Sequence, residues 1–450
     1  MLIKNQKSIV ASMAAIAALL LLSMPPAYAV PSFGRQMGME CSGCHTVFPE
    51  LNSFGRQFKL RGFTLGNALD DKKFPLNLPL SAVVVGSRTM ASNTNTPGAM
   101  PEEQFPRDAQ TVLQTAGLYY GGKIAGNFGA LVQYNYDGIE YTSKIEMADI
   151  RYANSTTFGN GKDLIYGVTV NNNPTLSDVF SSTPMWSFPH LMSDVALMPN
   201  AATLVDNTLF GQVGGVGAYG YWNNLLYGEV AFYRKATNGL LRPFSSGIDI
   251  GNVVDGYAPY WRLALQRESG PHGFMVGTYG MTADVFPDPS MPFGATDRFK
   301  DLALDGQYHY NVGDHILSTH ATWIREKQDW NASFPLGMTS NASATLNTFR
   351  ADAHYFYKRQ WGGGIQYFST RGDADATRYN TGEAVMGSAT GSPNTQGWML
   401  DLNYLPLQNI KLGARYTRYD KFNGESTNYD GMGRNARDNN TVFLYGWFLF

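Results

Sequence analysis

The sequence predicts an all-β fold: an outer-membrane-type antiparallel barrel of about sixteen strands, with a short, mostly helical N-terminal segment inside it as a plug. Three observations predict it. Beyond residue 79 the chain breaks into segments of about 10 to 14 residues with alternating polarity, the weak per-strand signature of a membrane barrel. These segments are joined alternately by tight turns and longer loops. The composition pairs 13% aromatic residues with 48 glycines, and the chain ends on Trp447-Phe448-Leu449-Phe450.

Residues 1–29 read as an export leader. Lys4 and Lys7 form a basic start, residues 9–22 are a short apolar run, and Ala27-Tyr28-Ala29 places small residues where a signal peptidase reads them. The run is too short for a spanning helix. The mature chain is expected to begin at Val30, with one segment over 30–78 and the barrel over 79–450. A net charge of −2 implies no nucleic-acid surface. No long apolar run follows the leader. Only two cysteines exist, three positions apart, which excludes a disulfide framework.

Those cysteines lie in Cys41-Ser42-Gly43-Cys44-His45. Two thiols at this spacing add across the vinyl groups of one haem, and the adjacent histidine falls beneath the iron as proximal ligand. An export leader fits, because c-type haem is attached after export. Zinc would need a further ligand cluster, which the sequence lacks. A redox dithiol belongs in a βαβ context, also missing. Residues 30–78 are too few to bury a haem with their own core, so the group must lean on the rest of the chain.

A resemblance extends this reading. The run Val30-Pro31-Ser32-Phe33-Gly34-Arg35-Gln36-Met37-Gly38, the haem motif, and Pro49-Glu50-Leu51-Asn52-Ser53-Phe54-Gly55-Arg56-Gln57-Phe58-Lys59-Leu60-Arg61-Gly62-Phe63 resemble the fused monohaem cytochrome c–porins of bacterial outer membranes. Further likeness lies at Asn171-Asn172-Asn173-Pro174-Thr175 and Thr183-Pro184-Met185-Trp186. Gly34 and Met37 stand where that family carries alanine and threonine; the attachment residues are unaffected. The resemblance implies one covalent haem c, extracellular ferrous iron as electron donor and a periplasmic c-type cytochrome as acceptor, an iron:cytochrome c oxidoreductase.

The barrel follows from the residues themselves. Ile410, Leu412, Ala414 and Tyr416 alternate with Lys411, Gly413, Arg415 and Thr417, and Phe349, Ala351, Ala353, Tyr355 and Tyr357 alternate with Arg350, Asp352 and His354. Strands are expected at 80–92, 112–122, 126–138, 144–155, 162–172, 208–222, 224–235, 258–269, 272–286, 300–311, 314–328, 345–357, 361–373, 394–404, 409–422 and 440–450. That number is even, as single-chain bacterial barrels require, and it returns both chain ends to the periplasmic face. A soluble sandwich also alternates, but its loops do not alternate short and long.

Strand parity turns His309, His320 and His354 into the lumen, with Asp305, Arg350 and Asp352. The first and last of these histidines lie near tight turns, where the haem segment enters. The longest connection, 173–207, holds Trp186, His190, Met185, Met192 and Met198, and a loop of that length is expected to be functional, as a cover over the haem. Met37 and Met39 are nearer the motif. Any of these histidines or methionines is a candidate for the open side of the iron, and the sequence does not choose among them. Ordinary lumen polarity accounts for the histidines and an ordinary surface loop for the long connection. The alternative function is a porin whose haem segment is a structural plug or redox sensor, or a conduit for a different extracellular redox partner.

Overall fold

The alternating pattern folds into one closed antiparallel sheet. The computed structural model describes residues 31–66, 79–95, 107–186, 190–236, 251–380, 382 and 384–450. The leader, the start at Val30 and the boundary near residue 78 lie outside them. Sixteen strands follow in chain order: β1 Leu80–Ala91, β2 Thr111–Ala125, β3 Phe128–Asp137, β4 Thr142–Thr157, β5 Asp163–Asn171, β6 Val213–Trp222, β7 Leu226–Lys235, β8 Ala258–Ser269, β9 His272–Val285, β10 Asp297–Val312, β11 His315–Asp329, β12 Ser343–Tyr357, β13 Trp361–Gly372, β14 Thr395–Leu407, β15 Ile410–Lys421 and β16 Thr441–Leu449. A two-residue lead-in, Val254–Asp255, extends β8 along β9. Each strand pairs with its sequence neighbours. The ring closes where β16 meets β1, from Val83 opposite Leu449 to Ala91 opposite Thr441. Closure leaves no edge strand.

Each expected segment is a strand, and the differences are at ends. β6 begins at Val213 rather than 208 because Leu204–Thr208 forms a π-helical turn. The Leu204 and Val205 amides there donate to Glu326 and Asp301 on the wall instead of to a ladder. Tight turns of two to five residues join even strands to the next odd strand, and long loops make most of the other connections. The exception is 138–141 between β3 and β4, four residues long.

Burial runs opposite to that of a soluble protein. On β8, Tyr260, Arg262, Ala264 and Gln266 are buried, whereas Trp261, Leu263 and Leu265 are exposed. On β10, Asp301, Asp305, Gln307 and His309 are buried while Leu302 and Leu304 face out. An apolar outer surface around a polar interior is the requirement of lipid. Outward aromatics gather near the tight turns, where Trp361 stacks on Tyr404 with centroids 4.1 Å apart and Phe274 lies tilted against Tyr308 at 5.0 Å. They mark one interfacial girdle.

The lumen is filled. Helix α1 Pro31–Met37, a 3-10 turn Cys41–Gly43 and helix α2 Ser53–Leu60 form the plug. Phe33 stacks on Phe63 at 5.3 Å and meets Phe58 edge-on at 5.0 Å, giving the segment a small core of its own. Wall groups hold the rest. Tyr219 donates to the Leu60 carbonyl at 2.6 Å, and Phe48 packs edge-on against Trp447 at 4.9 Å. The connection between β5 and β6 turns inward: residues from Asn173 to Thr183 are buried. Arg262 anchors that stretch, 3.0 Å from Asp178 on the loop and 2.7 Å from Asp305 on the wall, all three fully buried.

Candidate functional site

The cysteine motif is set by two local devices. The 3-10 turn closes through the Cys44 and His45 amides donating to the Cys41 carbonyl at 3.1 and 2.9 Å. Helix α2 then backs onto it. Asn52 caps that helix by accepting from the Gly55 amide at 2.9 Å, and its Nδ2 donates to the Ser42 and Gly43 carbonyls at 3.2 and 3.0 Å. A Cβ at Gly55 would collide with the Cys44 carbonyl, so helix and turn can approach this closely only through glycine.

Cys41, Cys44 and His45 line a cavity of about 420 Å³ between plug, wall and inward loop. Its walls are largely apolar: Phe33, Phe58 and Phe63 from the plug, Val83, Val85, Leu131 and Trp447 from the barrel. The His45 Nδ1 faces the Pro49 and Glu50 carbonyls at 3.0 and 3.2 Å. Donation there fixes the tautomer and turns Nε2 into the available ligand atom, the arrangement typical of iron- and zinc-bound histidines. Burial pushes the His45 imidazole down to about 4, so it is neutral at ordinary pH. Burial also raises the Cys44 thiol to about 11. Volume, apolar walls, paired thiols and a pre-oriented imidazole fit a covalent haem c.

Of the candidates for the opposite ligand, His190, Met37, Met39 and Met185 line this same cavity. Trp186 lines it too, with its ring 4.4 Å below the Lys59 ammonium and edge-on to His190 at 6.2 Å. Burial, then the neighbouring His320 and Lys411, push the His190 imidazole well below its ordinary value. His309, His320 and His354 are lumen-facing as parity requires, but none lines the cavity. His309 and His320 face Glu50 instead, and His354 packs over Gly364. Met192 and Met198 lie on the exposed side of the inward loop. These five residues therefore stand apart from the haem-sized cavity. Their positions follow from strand register and loop path, which residue type alone does not encode.

Two participants carried no sequence signal. Lys59 is buried in the lumen and donates to the Leu176 and Asp178 carbonyls at 2.6 and 3.0 Å. Burial, then nearby Arg151, lowers its ammonium to about 7. Glu50 follows a proline in a short loop, and only the docked plug brings it against the wall.

The cavity lies toward the tight-turn end. Arg359, in the turn after β12, donates to the His45 carbonyl at 3.2 Å and to the Thr46 carbonyl. Gln408, in the turn after β14, donates to Glu40 at 3.0 Å.

Fold and site together define a porin-like outer-membrane β-barrel whose lumen is occupied by its own N-terminal segment. No protein-family model and no curated protein sequence matches the chain. Solved structures similar to it include OmpF of Salmonella typhi in complex with daunomycin, at 13% identity and a TM-score of 0.45, covering 82% of this chain and 97% of that one. Another is an anion-selective porin from Comamonas acidovorans, at 11% identity and a TM-score of 0.45, covering 82% and 98%. A third is the outer-membrane channel DcaP of Acinetobacter baumannii, at 12% identity and a TM-score of 0.44, covering 82% and 96%.

Proposed function

We propose that this chain is an outer-membrane electron-transfer protein, which takes electrons from extracellular ferrous iron through one haem c and delivers them to a periplasmic c-type cytochrome. The observation that carries the proposal is the meeting of Cys41, Cys44 and His45 on one apolar lumen cavity. When bound, the haem would supply a one-electron store cycling between ferric and ferrous iron. Cys41 and Cys44 would hold it by thioether bonds, and His45 would ligate through Nε2. His190 would be a further residue to hold it, because the inward loop brings this histidine to the same cavity walls. Phe33, Phe58 and Trp447 would exclude water, and Trp186 beneath Lys59 would close the loop over the cavity. Porin-type barrels keep tight turns in the periplasm and long loops outside. The cavity would then face the periplasmic acceptor, while iron oxidation products form at or beyond the outer loops.

Stopped-flow mixing of the purified full-length protein with ferrous iron tests this directly. Reduction of the haem bands, followed by reduction of added cytochrome c, is the expected result. Reduction by dithionite but not by ferrous iron would favour the second reading, a solute channel in which the haem segment is a plug. The barrel architecture supports that reading, and single-channel conductance in planar bilayers would measure it.

A further inference from the structure

A second group of donors lies where the plug meets strands β10 and β11. Glu50 Oε1 is 3.1 Å from His309 Nε2 and 2.9 Å from His320 Nε2, and the three ligand atoms all lie within 4.8 Å of one another. All three side chains are buried, Glu50 completely. Gln307 Nε2 and Ser318 Oγ each donate to the same Glu50 oxygen at 2.8 Å.

Hydrogen bonding leaves part of this group unsatisfied. His320 Nδ1 faces Asp352 Oδ1 at 3.0 Å. As an imidazolium this ring donates to both carboxylates, from Nδ1 to Asp352 and from Nε2 to Glu50. The other carboxylate oxygen, Glu50 Oε2, is buried with no hydrogen-bond partner, as is His309 Nδ1. A buried acceptor without a donor costs stability. A cation among the three donors, held by both Glu50 oxygens, would give Glu50 Oε2 a partner.

We propose that Glu50, His309 and His320 form a site for a divalent first-row transition metal, ferrous iron in class. Two histidines and one carboxylate with open positions are the donor set of non-haem ferrous centres. Donors separated by about 3 Å match neighbouring ligands each about 2.1 Å from one ion. Asp352 behind His320 is the carboxylate–histidine–metal arrangement that orients the ring and raises its basicity. Arg56 Nη2 lies 3.3 Å from His309 Nε2 and competes for that nitrogen, so its charge weakens the site. Glu50 also offers its carbonyl to His45 Nδ1 at 3.2 Å, so one residue touches both the metal site and the motif histidine. The site requires the plug docked in the barrel, not haem bound in the cavity.

The test uses the full-length protein in detergent, stripped with chelator and titrated with Co²⁺ alone. One equivalent should bind with a visible d–d band, and Zn²⁺ should displace it. Glu50→Gln, which keeps the Ser318 contact, should weaken Co²⁺ binding at least tenfold, and Asp352→Asn by roughly 10–100-fold. Heat-dependent gel migration confirms a folded barrel in each variant. Absence of stoichiometric Co²⁺ binding in the parent protein overturns the proposal, as do folded Glu50→Gln and His320→Ala variants that bind like the parent. Haem content in the same samples separates the two readings. Protein that binds Co²⁺ without covalent haem sinks the haem reading alone, and haem-loaded protein without Co²⁺ binding sinks this one alone.

Discussion

At the scale of single residues, the motif makes the sharpest statements. Cys44→Ala should leave a single thioether bond, and the double change with Cys41→Ala should leave none; mass spectrometry of the denatured protein reads both. Gly55→Val forces a Cβ into the Cys44 carbonyl. Covalent haem yield should fall, while the barrel still shows its heat-dependent gel migration. His190→Ala should change the reduced haem spectrum and shift the midpoint potential, since axial identity controls both. The His354, Met192 and Met198 alanine variants should keep the parental spectrum. A parental spectrum in His190→Ala would instead turn attention to Met37, Met39 and Met185. The proposed attachment motif can be read from the sequence alone because spacing and residue type define it. The opposite ligand cannot, because seven histidines and eighteen methionines offer many choices and only the fold places a few at the cavity.

At the scale of elements, the inward loop rests on buried charge. Arg262 neutralises Asp178 and Asp305 together, with none of the three exposed. Arg262→Met would leave two buried carboxylates uncompensated, a loss of about 3–5 kcal/mol. The loop should then become cleavable by protease added to detergent-solubilised protein, where the parent resists. Lys59 makes plug docking depend on pH. Its folded value of about 7 lies below the ordinary 10.5, so between those values the unfolded state binds more protons. Docking should therefore strengthen as pH rises from 7 towards 10, and Lys59→Met should flatten that slope in thermal melts followed at the haem. On the lipid face, Leu263→Arg near the middle of β8 should cost about 2–4 kcal/mol of barrel stability, read by urea-driven unfolding.

At the scale of the whole molecule, orientation decides which side the cavity serves. Epitope tags near Asn95, Gly387 or Asn428, all in long loops, should be reached by antibody on intact cells. A tag at Gly313, in the β10–β11 turn, should be hidden until the outer membrane is opened. The opposite labelling pattern would place the cavity outside and reverse the direction proposed for electron flow.

The sixteen strands could be read from sequence because each repeats a two-residue period that one wet and one oily face impose, and because alternating loops fix their order. The ends drifted where loop groups bonded to the wall, as at Leu204 and Val205 before β6. Strand parity likewise turned His309, His320 and His354 inward. What parity could not supply is depth along the barrel, which depends on register across neighbouring strands and on where the plug docks. Hence only tertiary structure brings Glu50 against His309 and His320, sequence neighbours of nothing in the plug. It also folds residues 173–183 into the lumen, where Asp178 and the Ser177 carbonyl join the wall partners Asp305 and Asp149 that Arg262 and Arg151 already have. Periodicity is a local property written into every strand. The meeting of plug, loop and wall is a long-range packing outcome that no short stretch of sequence contains.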